Sequence, residues 1–145
     1  MNILVAVDLS PASKKVVKAA RGVADVTGAS LYILHVAEPE PDFVGYDAGP
    51  EVVRTQVAQE LRREHREVQA LAEGLRGHGL EATALLVRGP TVEMTLKEAD
   101  SLEADLIVVG THGHGAVYDV LIGSYSAGII RRSTLPVLVV PIRQD

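Results

Sequence analysis

The 145-residue chain contains no cysteine and no tryptophan. Without cysteine there is no disulfide framework, no thiolate zinc site, no iron–sulfur cluster and no thiol nucleophile. Aromatic residues amount to 3%, namely Tyr32, Phe43, Tyr46, Tyr118 and Tyr125, too few for the stacking platforms that hold single-stranded nucleic acid. Positive charge is short as well: 14 Lys and Arg against 19 Asp and Glu leave a net charge of −5, the wrong sign for a phosphate backbone. No nucleic acid is expected as a main partner. No apolar run approaches the ~20 residues of a membrane span, so no membrane partner is expected either. The opening Met1–Asp8 has no basic segment and meets a carboxylate after five apolar residues, which does not fit a secretory leader. The expectation is a cytoplasmic protein.

What the chain does have is aliphatic. Hydrophobic residues make up 47% and charged residues 23%, enough for one domain over residues 1–145 that buries roughly 70% of the surface exposed by its unfolded chain. Short apolar runs alternate with longer amphipathic stretches. Ile3–Val7, Leu31–Val36, Ala82–Val87, Asp105–Val109 and Val137–Val140 read as strands, several of them apolar on both faces. Helical spacing follows each of the first four. One stretch begins near Pro11, with Ser10 as its cap, and stops at Gly28; the longest runs from Glu51 to Gly77; the others cover Thr91–Leu102 and about Ser124 to Arg132. The Pro- and Gly-rich stretch from Ala37 to Pro50 reads as a loop, and the mixed charges of the longest helix as a solvated, ion-paired face. The fold class is α/β: five parallel strands with helices on both faces.

In open α/β sheets ligands bind beyond the carboxyl ends of the strands, and the unusual residues fall there. Asp8 follows the first strand, and Gly89 the third. The fourth runs into Gly110-Thr111-His112-Gly113-His114-Gly115, with Gly123-Ser124 at the next helix start. Glycines let backbone amides approach a ligand, and a helix N-terminus favours an anion. No Gly-Lys-Ser/Thr follows, so this is not a Walker loop, and the position after strand four is wrong for a dinucleotide fingerprint.

The spacing Gly110-x2-Gly113-x9-Gly123-Ser124 resembles the nucleotide-binding signature of the universal stress protein family. So do Val5-Ala6-Val7-Asp8, Leu34-His35-Val36, Asp105–Gly110 and the ending Pro136–Pro141. The resemblance spans the whole chain. It implies strand order 3-2-1-4-5 in an adenine nucleotide alpha hydrolase-like fold, with the first and fourth strands side by side. It implies ATP as ligand with Mg2+ or Mn2+, a role in stress response, and at most slow hydrolysis rather than true enzyme catalysis. By the same resemblance Asp8 contacts the ribose or the metal–phosphate region, backbone at Val36 reads the adenine edge, and Gly89 lies close to the nucleotide. Gly110, Gly113, Gly123 and Ser124 would hold ribose and phosphates, with Thr111, His112, His114, Tyr125 and Ser126 beside them. The family often carries Arg where this chain has His112.

Several residues keep a second reading. Asp8 could cap the first helix, and Ser126 could cap the last one rather than meet phosphate. His112 and His114 lack a third local ligand for a closed zinc site. Ser124 lacks the nucleophile elbow of hydrolases, so no catalytic residue is assigned. Arg131 and Arg132 suit a helix C-terminus. The apolar strand Val137–Val140 is expected at a sheet edge, where pairing with a second copy would make a homodimer. The alternatives to an ATP-binding regulator are a family member acting only through protein contacts, and a weak ATPase or nucleotidyl-transferring enzyme.

Overall fold

A computed structural model describes residues 1–38, 50–112 and 122–143. Nine elements follow in order: β1 (Asn2–Ala6), α1 (Ser13–Thr27), β2 (Ser30–Ala37), α2 (Pro50–Arg76), β3 (Ala82–Arg88), α3 (Thr91–Ser101), β4 (Leu106–Gly110), α4 (Ser124–Arg132) and β5 (Val137–Val140). All strand pairs are parallel, in the order β3-β2-β1-β4-β5. The chain winds outward from β1 through β2 to β3, then returns to the other side of β1 for β4 and β5. The reversal lies between β1 and β4, and it opens a crevice at their carboxyl ends.

The aliphatic composition explains why the central strands tolerate burial on both faces. Alternate residues of β1, β2 and β4 point to opposite sides. Ile3, Val5, Leu31, Ile33 and Val108 pack with α1 and α2. Leu4, Ala6, Leu34, Val36, Ile107 and Val109 pack with α3 and α4. The stripe of α2 covers the first face through Val68, Ala72 and Leu75, all buried, while its Val57 and Leu61 are only half-buried. On its outer face Arg63 pairs with Glu67 at 2.9 Å and with Glu60, the solvated arrangement expected of that charge pattern. Among the described residues no helix is long and apolar enough to cross a membrane.

Two expectations need correcting. The first helix begins at Ser13 rather than near Pro11, and its cap position is Ala12, with no side-chain hydrogen bond. Ser10 does not cap it, because the Ser10 hydroxyl and amide both turn back to Asp8. The second strand also continues to Ala37, since pairing with β3 carries on to Ala37 opposite Arg88. The expected loop also ends one residue early, because Pro50 opens α2, and residues 39–49 lie outside the described residues.

Candidate functional site

A cleft at the switch point is lined by the ends of β1 and β4, the start of α1 and the first turn of α4, including Val7, Asp8, Ser13, Gly110, His112 and Tyr125. A broader depression runs along α2 between Gln56, Glu60 and Arg66. It is an open, charged helix face.

The cleft begins where β1 ends. One Asp8 carboxylate oxygen accepts the Ser10 amide at 2.9 Å, the Ser10 hydroxyl at 2.7 Å and the Ser13 hydroxyl at 3.1 Å. These three bonds hold Leu9 at φ 65°, a conformation uncommon for a bulky L-residue and one that persists only where its surroundings over-determine it. Asp8 therefore does local work at the α1 entrance, and it is also the one carboxylate lining the cleft among the described residues.

On the neighbouring strand the ladder between β1 and β2 ends with the Val7 amide on the Leu34 carbonyl at 2.9 Å. Alternate residues of a parallel strand turn their backbone groups to the same side, so Val36, like Leu34, aims its N–H and C=O toward β1. Among the described residues no backbone acceptor meets the Val36 amide. The N–H and C=O of Val36 thus point to the side of β2 from which β1 has turned away. Gly89, at the end of β3, sends its amide to the Ala37 carbonyl at 3.2 Å. Its φ of 144° and the Met94 Cγ, 2.8 Å from where a Cβ would lie, fit glycine alone.

On the other side of β1, Gly110 ends β4 with Ile142 Cγ1 and Val16 Cγ2 at 3.0 and 3.3 Å from a notional Cβ. Thr111 then pins the departing loop. Its amide reaches Val140, its hydroxyl oxygen accepts the Ile142 amide at 2.8 Å, and its carbonyl accepts the Gly123 amide at 2.7 Å. His112 Nδ1 lies 3.0 Å from the same Thr111 hydroxyl. The Gly123 amide, expected to be open to a ligand, is therefore spent closing the loop onto α4. Among the described residues no side chain caps the first-turn amides of α4. Ser124 is exposed there. Ser126 is buried and donates its hydroxyl to the Gly110 carbonyl, so that hydrogen ties α4 to β4. Gly113 and His114 lie outside the described residues.

Tyr125 is fixed from behind. Its hydroxyl lies 2.7 Å from Thr95 Oγ, on α3, and Thr95 Oγ also lies 2.7 Å from the Thr91 carbonyl. A carbonyl only accepts, so Thr95 donates to Thr91 and Tyr125 donates to Thr95. Burial, the largest effect, pushes the Tyr125 phenol up to about 12. Thr95 was not singled out from the sequence, and Ser13, which follows Asp8 and Ser10 in the family-like opening, was given no role there. Their signal is a polar residue inside an apolar helical stripe, which requires a partner once buried. Among the described residues no group of three or more His, Asp or Glu could hold a metal by itself.

A family model described as the universal stress protein family matches residues 1–141. A universal stress protein of Thermus aquaticus, encoded in the 3' region of a QAH/OAS sulfhydrylase, is 37% identical over 139 residues, covering 96% of this chain and 97% of that one. Among solved structures, the hypothetical protein MJ0577 superposes with a TM-score of 0.82 at 23% identity, over 99% of this chain and 97% of that one. A universal stress protein in complex with cAMP superposes at TM-score 0.67 and 24% identity, over 97% and 96% of the two chains. That of Archaeoglobus fulgidus in complex with dAMP gives 0.63 and 23%, over 96% of each. With its sheet order, its aliphatic two-faced core and these similarities together, the chain belongs to the universal stress protein family.

Proposed function

We propose that this protein binds an adenine nucleotide, ATP with a divalent cation, at the β1/β4 crevice and acts as a stress-response regulator in the cytoplasm. The observation that carries the reading is a pair of backbone features at the carboxyl ends of the sheet, on either side of β1. The unladdered edge at Val36 offers a donor and an acceptor to the rim of a planar base. The uncapped first turn of α4 offers amides and a positive dipole end to phosphates. Two family structures are described as complexes with cAMP and dAMP, which supports the ligand class. With few aromatics in the chain, the base would lie between aliphatic walls. Gly89 and Gly110 border the proposed site, Asp8 would meet the ribose or cation region, and the first-turn amides of Ser124, Tyr125 and Ser126 would form the phosphate side, with Thr111, His112, Gly113, His114 and Gly123 in the loop beside them.

The donor set suits Mg2+ or Mn2+ carried in on the nucleotide. Such an ion needs one or two protein carboxylates when phosphates supply the rest, and Asp8 is proposed as that carboxylate. Hydrolysis is proposed to be slow, because the Asp8 oxygen described above already accepts three hydrogen bonds and is poorly disposed to act as a base. A homodimer is proposed through β5, an edge strand whose Leu138 is exposed, together with Ile130 of α4.

Mass spectrometry of small molecules released on denaturation should find an adenine nucleotide. At one hundred times its Kd, Mg-ATP should stabilise the fold by about 2.7 kcal/mol, a rise in Tm of roughly 5–11 °C for a chain of this size. Gly123→Val should remove the shift. No nucleotide and no shift would overturn the reading.

A further inference from the structure

The β1–β2 ladder does not fade at its end; a side chain interrupts it. The next bond in register would run from the Val36 amide to the Val7 carbonyl. That carbonyl is instead 2.9 Å from His35 Nδ1. On the other side of the ring, Nε2 lies 2.7 Å from Glu64 Oε2 of α2, and both side chains are about nine-tenths enclosed, at 13% and 14% exposure. A carbonyl only accepts, so Nδ1 carries a hydrogen and donates it to Val7. The Glu64 carboxylate sits against Nε2 as an ion-pair contact. The imidazole is thus held at both ends, between the last residue before Asp8 and the middle of α2.

We infer that His35 is a positioning residue: by taking the Val7 carbonyl it keeps β1 off Val36 and leaves the Val36 backbone edge open for the base of the ligand. This rests on the nucleotide reading above for its ligand, but not for its structural part. Glu64 fixes the ring from α2. A shift of that helix would be felt through the ring at Val7, one residue from Asp8, and at His35, one residue from Val36.

Amide replacements separate the two ends of the ring, because Asn places its N–H near the position of Nδ1 and Gln near that of Nε2. Hydrogen exchange at individual amides of the full chain, without nucleotide, reads the structural part. In the wild type the Val36 amide should exchange at least tenfold faster than that of Leu34. His35→Phe should slow it at least tenfold as the ladder closes onto Val7, and His35→Asn should leave it fast. Discrimination between ATP and GTP reads the functional part. His35→Phe and His35→Gln should lower the ratio of their affinities at least fivefold, with His35→Asn close to wild type, while affinity for inorganic tripolyphosphate stays within twofold in all of them. A role confined to stability would lower Tm and weaken all three ligands in parallel. A slowly exchanging Val36 amide in the wild type, or an unchanged ATP-to-GTP ratio in His35→Phe, overturns the inference. If the wild type binds no nucleotide while the exchange pattern holds, the nucleotide reading fails and the positioning of the strand edge stands.

Discussion

Replacing Thr95 by Val should destabilise the protein more than replacing Tyr125 by Phe, although both remove the same 2.7 Å hydrogen bond. The asymmetry follows from the direction of the protons. Thr95 is fully buried and donates to the Thr91 carbonyl, so the tyrosine hydroxyl donates to Thr95. In Thr95→Val that hydroxyl is left with no acceptor in an enclosed place, at a cost of about 1–3 kcal/mol. In Tyr125→Phe the Thr95 hydroxyl still has its carbonyl, and the loss is that of one ordinary hydrogen bond, about 0.5–1.5 kcal/mol. The double variant removes donor and acceptor together. Its cost should therefore fall below the sum of the single costs by roughly 1 kcal/mol. Urea unfolding followed by circular dichroism measures all three, with Tm moving about 2–4 °C for each kcal/mol. Tyr125→Phe costing as much as Thr95→Val, or strictly additive costs, would show that the protons do not run from Tyr125 through Thr95 to Thr91.

Other outcomes follow from the same geometry. Burial raises the Tyr125 phenol from its ordinary 10.0 to about 12, so its stabilising contribution is complete below pH 10 and is lost as pH rises through about 12. Wild-type stability should fall across that window by up to about 3 kcal/mol more than that of Tyr125→Phe, and parallel pH profiles would contradict it. Glu103 is exposed at φ 51°, where an L side chain costs roughly 1–2 kcal/mol; Glu103→Gly should raise Tm in calorimetry, and a fall would refute the strain. Sedimentation should give twice the chain mass for the wild type and a single mass for Leu138→Lys; a wild-type monomer at micromolar concentration would remove the β5 dimer.

Strands with apolar residues on successive positions, such as Ile3–Val5 and Ile107–Val109, announce burial on both faces, and that local signal was enough for a parallel α/β sheet. The order of the strands is not a local property; it came through the resemblance carried by Gly110, Gly113, Gly123 and Ser124. The candidate site divides the same way. Glycines at strand ends stand out in a sequence because their conformational freedom is a property of the single residue, and Gly89 does adopt a φ that other residues rarely reach. What each polar group spends its hydrogen on depends on residues far along the chain. The Gly123 amide closes onto Thr111, the Ser126 hydroxyl onto Gly110, Tyr125 reaches Thr95, and His35 spans Val7 and Glu64. None of these pairs has a spacing that marks it. The Ser10 cap failed for a related reason: the Asp8 carboxylate, two residues away, competes for the same hydroxyl and wins it.

The central claim is that an adenine nucleotide bridges the Val36 edge and the first turn of α4. Titrating Mg-ATP into the labelled protein and following individual backbone amides by NMR tests it most directly. Saturable shifts are expected at Val36, Gly89, Ser124 and Tyr125, with the α2 face around Arg63 unmoved. Absence of shifts at saturating nucleotide, or shifts confined to the α2 face, would contradict it.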